Sequence, residues 1–268
     1  SKTAVVTACQ SPPECPIGDL SFSSNAELAA FQTTYPNCTQ ISGSLTISGI
    51  QALTTEEEAV TLRSIINLSG LGNIERILGD LIIESNSGIF NLSGLTNLAT
   101  LGGSLIISNN SALQNVSGLE NLASVGGDFT LRQNIALTNV DALTKLNIIN
   151  GNLDITENDV LNNLNGLNNL TSIGGNVVIT QQSLTDGLAE ISFIGGNLII
   201  RNTLFTNLNV LGQLNSIGGN LRIFENDQLV NLSGLENLKT IGGNLEIFAN
   251  NALENLEGLD QLTTIGQD

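Results

Sequence analysis

The chain has 268 residues, 41% of them hydrophobic and 12% charged, with 28 Gly, one Tyr and no Trp, Met or His. Its 25 acidic and 8 basic residues leave a net charge of −17, a field that repels phosphate backbones and anionic lipid and so argues against nucleic acid and membrane surfaces as partners. No apolar run reaches the roughly 20 residues of a membrane span, and without His any acid–base chemistry falls to carboxylates, Lys or Arg.

The chain opens at Ser1, and Lys2 to Cys9 is too short and too weakly apolar for a signal peptide. A piece of a longer protein is therefore expected. Cys9, Cys15 and Cys38 all precede the first full repeat, among Pro12, Pro13 and Pro16. Such clustering predicts a disulfide that staples an N-terminal cap in an oxidising, extracellular compartment, with one cysteine left over. Ser24-Asn-Ala-Glu27 reads as a helix capping box, followed by Leu28, Phe31 and Tyr35 at helical spacing. This predicts an amphipathic lid over the coils that follow.

From Ser44 onward one phrase of 24 residues recurs, as in Thr240-Ile-Gly-Gly-Asn-Leu-Glu-Ile-Phe-Ala-Asn250. The polar residue after the glycines falls at Ser44, Asp80, Ser104, Asp128, Asn152, Asn176, Asn197, Asn220, Asn244 and Asp268. A period of this size means stacked coils, each stable only against its neighbours. Between Ser44 and Asp80 an insertion near 54–65, containing Thr55-Glu-Glu-Glu58, predicts a second short helix. Counted from the polar residue, offsets 1 and 3 are apolar, as at Leu105 and Ile107, while offsets 2 and 4 vary. That is a strand with one buried and one exposed face. Further round, Leu113, Val116, Leu119, Leu122 and Val125 recur at steps of three, read as short extended pieces joined by bends. The Gly-Gly pair, as at Gly126-Gly127, is expected to turn the backbone through positive φ. Asn forms columns at Asn86, Asn110, Asn134, Asn158, Asn226 and Asn250, and at Asn91, Asn115, Asn139, Asn163, Asn231 and Asn255. Both are expected to bond along the stack and satisfy turn backbone. The fold class is thus all-β, a right-handed parallel β-solenoid with a short N-terminal capping helix. Residues 1–43 form the cap and 44–268 the coils of one continuous domain. Its last coil needs covering, either by further chain or by end-to-end self-association.

The stretch Phe31-Gln-Thr-Thr-Tyr-Pro-Asn-Cys38-Thr-Gln-Ile-Ser-Gly-Ser-Leu45-Thr-Ile47 resembles the opening of a receptor L domain, and the repeats from Ile77 resemble the long, regular variety of bacterial surface and secreted proteins. The resemblance implies a disulfide between Cys15 and Cys38, with Cys9 the odd one. It also implies an extracellular binding or adhesion module for a protein or a glycan, and it carries over no residue-level ligand site.

A polysaccharide-active enzyme is the weaker reading. Asp154 and Glu157 share a coil, but no acid stands in register beside Asp154, at Thr130 or Val178, to build the facing carboxyl pair of a glycosidase. Calcium is a weak candidate at Glu157 and Asp159 and at Glu225 and Asp227, which share coil offsets but lie three coils apart. No cofactor is otherwise expected. Offset 4 ends on Arg201, Phe224 and Phe248, and offset 2 on Arg222 and Glu246. These five are expected to project from the outer sheet as a ligand-binding patch, with a sugar ring stacking beside Arg. The competing readings are that the two Phe stack on each other and that the array is only a structural spacer.

Overall fold

The computed structural model describes residues 14–49, 65–180 and 187–266. Cys9, the expected helix after Thr55 and the polar position Asp268 lie outside the described residues. Over the described residues the chain winds as a parallel β-solenoid with two sheets of ten strands each. One sheet stacks the long strands, starting at Leu20–Phe22 and Leu45–Ser48 and ending at Leu221–Phe224 and Leu245–Phe248. The other stacks two-residue strands, from Gln40–Ile41 to Thr264–Ile265. Every pairing is parallel and joins equivalent positions, such as Leu105 with Phe129 and Ile107 with Leu131.

Offsets 1 and 3 are buried in the long strands down to Leu221 and Ile223, and they join the step-of-three residues in one apolar cluster from Phe22 to Ile241. In the last coil the equivalents are less covered, with Leu256 54% and Ile265 47% exposed. At the other end helix α1, Asn25–Thr34, forms the expected lid. Ser24 caps it by accepting from Glu27 N at 3.3 Å, and the Glu27 carboxylate reaches back to Ser23 N at 2.6 Å. Leu28 and Phe31 are buried beneath it, and the disulfide between Cys15 and Cys38 ties its flanks together.

The step-of-three segments correct the expectation of purely extended pieces. Five coils make a 3₁₀ turn there, at Ser69–Leu71, Ser93–Leu95, Asp141–Leu143, Asn165–Leu167 and Asn209–Leu211. A turn of three residues per revolution returns the third side chain to the inward face, which accounts for one step of the Leu spacing in these coils. Where Glu follows Gly-Leu, its carboxylate captures the glycine N–H instead: Glu120 accepts from Gly118 N and Glu236 from Gly234 N. Both glycines take positive φ.

The Gly-Gly pairs are also corrected, because positive φ is not found there. The left-handed residues lie at offset 5 instead, at Ser85, Asn109, Gln133, Glu157, Asn202, Glu225 and Ala249, with φ between 52° and 57°. The glycines exist for close approach. A Cβ on Gly151 would lie 2.6 Å from the carbonyl carbon of Gly127 and would strike the Asp128 carboxylate. That carboxylate accepts from Asn152 N at 2.7 Å, one link of a ladder that repeats at every coil. The second glycine column runs unbroken from Gly43 to Gly243, whereas the first admits Leu78 and Asn150.

One Asn column bonds along the stack as expected. Asn110 Nδ2 donates to Ile83 O at 2.9 Å and to Asn134 Oδ1 at 3.1 Å, and Asn134 repeats the pattern toward Ile107 and Asn158. The column of Asn91 and Asn115 does not. Its side chains close local turns, accepting from the N–H two residues on, as Asn91 Oδ1 does from Ser93 N at 3.1 Å. A further column went unread: Asn97, Asn121, Asn169 and Asn237 each donate to a carbonyl of the preceding coil at 2.7 Å.

The close approach is testable in urea unfolding. Gly151→Ala should cost about 1–3 kcal/mol through overpacking. Gly72→Ala sits at φ −59° with its nearest new contact at 3.4 Å, and should be neutral or stabilise by about 0.4–1 kcal/mol. Equal effects at both positions would reject the argument.

Candidate functional site

The outer face of the long-strand sheet is built by offsets 2 and 4, and its side chains change character along the stack. From Asp154 the offset-2 column runs through Val178 and Ile199 to Arg222 and Glu246, in direct register. The offset-4 column carries Thr156 beside Thr180, then Arg201 beside Phe224, then Phe248. A groove of about 710 Å³ lies across these rungs, lined at its two ends by Arg132 and Phe224.

The five expected patch residues do adjoin one another, but not all as exposed groups. Phe224 is 8% exposed, a correction to the reading that both rings project. Its ring lies parallel to that of Phe248, centroids 4.8 Å apart at 9°. The guanidinium carbons of Arg222 and Arg201 stand 5.2 and 5.7 Å from its centroid. Two aromatic residues at the same offset of adjacent rungs meet at strand spacing, so stacking is what the register imposes. Phe224 is therefore covered by its neighbours, and a sugar ring cannot lie flat on it without displacing them. Phe248 is 46% exposed.

The charges on this face are mostly committed. Arg222 Nε meets Glu246 Oε2 at 2.8 Å, and Arg132 meets Glu157 Oε1 at 2.7 Å. Both pairs are at least one-third exposed, so solvent screening leaves them little weight in stability. The hydrogen bonds from Arg132 and Gln133 hold the Glu157 carboxyl below the usual carboxylate range. Arg201 makes no ion pair among the described residues, and Asp154 Oδ1 is buried without a hydrogen-bond partner. Sequence reading passed over Asp154 as an exposed strand position, and its unmet oxygen is visible only once its neighbours are placed.

The calcium candidates do not converge. Glu157 is taken by Arg132 and Gln133, Asp227 accepts from Asn251 Nδ2 at 2.7 Å, and Glu225 is exposed at a left-handed corner. Among the described residues no group of three or more His, Cys, Asp or Glu is placed to hold a metal ion. Likewise, no described helix is long and apolar enough to cross a membrane.

Residues 73–147 match the family model of the receptor L domain. No curated protein matches the chain.

Two measurements follow from this geometry. Phe224→Ala should destabilise by about 1.5–3 kcal/mol as a buried ring is lost. Phe248→Ala should cost less, with a double-mutant coupling of about 0.5–1.5 kcal/mol, and a coupling of zero would deny the stack. The second concerns pH. Because the folded-state pKa of Glu157 is lowered, its contribution is present above the unfolded pKa and is lost as pH falls through the folded one. A carboxyl-resolved NMR titration should place Glu157 below the ordinary carboxylate range, and Arg132→Gln should move it up. An unmoved midpoint would refute the pairing.

Proposed function

We propose that this chain, whose residues 73–147 belong to the receptor L-domain family, is a non-catalytic extracellular binding or adhesion segment that uses the outer face of its long-strand sheet. The observation that carries this reading is the groove between Arg132 and Phe224, where a cation with no carboxylate partner and an unmet carboxyl oxygen meet a small apolar floor. An exposed guanidinium beside an aromatic ring, next to a small apolar floor, supports recognition rather than a spacer role. Catalysis is disfavoured because Glu157, the acid nearest Asp154 in sequence, is held by Arg132 and Gln133. The Cys15–Cys38 disulfide supports a secreted or cell-surface location. The partner is an extracellular glycan or protein, and no metal is needed in this scheme.

A structural spacer that associates with itself is the second reading. Glycan and protein arrays separate the two. A binding module gives a saturable ligand, and Arg201→Glu weakens it by about tenfold or more with unchanged melting. A spacer binds nothing saturably, and its light scattering rises with concentration. Binding indifferent to Arg201→Glu would remove the groove from the proposal.

A further inference from the structure

We infer that this solenoid binds an uncharged, extended, β-linked polysaccharide, laid lengthwise along the stack through two grooves that join at Glu157 and Asp159. The inference rests on the reading of the outer sheet face as a binding surface. It adds the class of the ligand and the direction in which it lies.

A second groove, of about 420 Å³, follows the corner beside the long-strand sheet. Ser85 and Asn109 line it at the left-handed offset, and Ser111 and Ile135 line it two residues further round their coils. Glu157 and Asp159 line this groove and also the sheet groove that ends at Phe224, so the two form one track. Strand pairings lead from Leu81 to Leu221 through five intervening strands. Six rungs therefore separate the coil of Ser85 from that of Phe224, about 29 Å at parallel-strand spacing. A track of that length along the stack suits a ligand that is itself a long, extended chain.

The lining selects the chemistry of that chain. Its charged groups cancel, with Arg132, Arg201 and Arg222 against Asp154, Glu157 and Asp159, in a protein whose net charge is −17. A polyanion is repelled by the molecule as a whole, and a polycation finds its surplus of carboxylates elsewhere on the surface. What remains along the track is neutral. Ser85, Asn109 and Ser111 in the corner, and Thr156 and Asn202 on the sheet side, make no side-chain hydrogen bond among the described residues. Their hydroxyls and carboxamides both donate and accept, as a sugar hydroxyl does. Ile135, 56% exposed, and the adjacent pair Val178 and Ile199 supply methyl surfaces for the C–H faces of the rings. An extended peptide is the other linear candidate, and its main chain needs an open strand edge. The long strands from Leu81–Glu84 to Leu221–Phe224 are paired on both sides and offer none. Each rung contributes only a weak contact, so binding strength must accumulate along the chain.

Calorimetric titration of the intact chain tests this with cellohexaose, mannohexaose and xylohexaose, their trisaccharides, hexagalacturonate, a chitosan hexamer and an uncharged hexapeptide. At least one neutral hexasaccharide should bind about tenfold or more tightly than its trisaccharide, the charged hexamers and the peptide. Two variants probe the two grooves. Ile135→Ser takes the residue that Ser87 and Ser111 place at that offset, and Ile199→Glu takes that of Glu246, with Arg222 in register beside it. Neither should lower the melting temperature. Each should weaken the hexasaccharide by about tenfold, whereas the trisaccharide, which fills one groove, should respond to one of the two. Equal binding of trisaccharide and hexasaccharide overturns the inference, as does a hexasaccharide indifferent to either variant. Tighter binding of a charged hexamer or of the peptide overturns it as well. If the neutral hexasaccharides fail while the arrays yield another saturable ligand, the inference falls and the binding-module reading stands. If the arrays yield none, both have failed.

Discussion

Every feature of this molecule answers to the spacing between rungs. Parallel backbone hydrogen bonds set neighbouring strands at about 4.8 Å, so each residue must accept a near copy of itself at that distance. The demand is different at each offset. Inward positions meet it with Leu, Ile and Val, which pack on their own kind without polar debt. The turn after the short strands meets it with glycine, because there the coils approach too closely for a Cβ. Polar corners meet it with side-chain oxygens that accept from a backbone N–H of the neighbouring coil, and the ladders run in opposite directions. Asn110 N donates forward to Asn134 Oδ1, whereas Asn176 N donates back to Asn152 Oδ1. Charge is the one chemistry that does not repeat well at this spacing, since like charges in register repel. Arg222 accordingly faces Glu246, and the Arg132 guanidinium reaches the Glu157 carboxylate of the next coil.

The same constraint explains what was legible in the sequence. A period of 24 residues with apolar offsets 1 and 3 shows the solenoid and its sheet face directly, because a one-residue slip would invert every side chain. The capping box and the lid were legible because Ser24, Glu27, Leu28 and Phe31 carry local signals that tertiary contacts reinforce. Backbone conformation was less so. The positive φ at offset 5 falls on Ser, Asn, Gln, Glu and Ala in different coils, so no residue type announces it. It is imposed from outside, by strand pairing on one side and by the Asn side chain that follows on the other. Asn134 Nδ2, for example, donates to Arg132 O at 3.1 Å. A left-handed residue costs about 1–2 kcal/mol, and such bonds offset it at the corners of Ser85, Gln133, Glu157 and Glu225. The glycines that were expected to turn the chain serve instead to let coils touch.

The outer face was legible only as a list. Offsets 2 and 4 were correctly placed on one side, but whether a residue there is free depends on its neighbours in three rungs, which single-residue reasoning does not supply. Phe224 illustrates the point. An aromatic at an outward offset reads as exposed, yet Phe248 on one rung and two guanidinium groups on its flanks leave it 8% exposed. Asp154 shows the converse, an outward polar residue whose oxygen is shut from solvent because its flanks are Thr130 and Val178.

This face is also where the architecture leaves freedom. Inward positions are held to apolar residues and the close-approach column to glycine, so much of the variation that leaves the stack intact falls on offsets 2 and 4. In a rigid array these positions lie at fixed spacing, so a set of side chains is held in place before any partner arrives and little ordering cost remains to be met on binding. On this face Asp154 Oδ1 is left without a hydrogen-bond partner, as Asn86 Oδ1 and Asn244 Oδ1 are in the corner ladders. Buried polar groups elsewhere in the coils mostly find partners along the ladders. A repeating fold satisfies its polar atoms by copying the same bond from coil to coil. The outward offsets 2 and 4 stand outside that scheme, so their chemistry is set residue by residue along the stack.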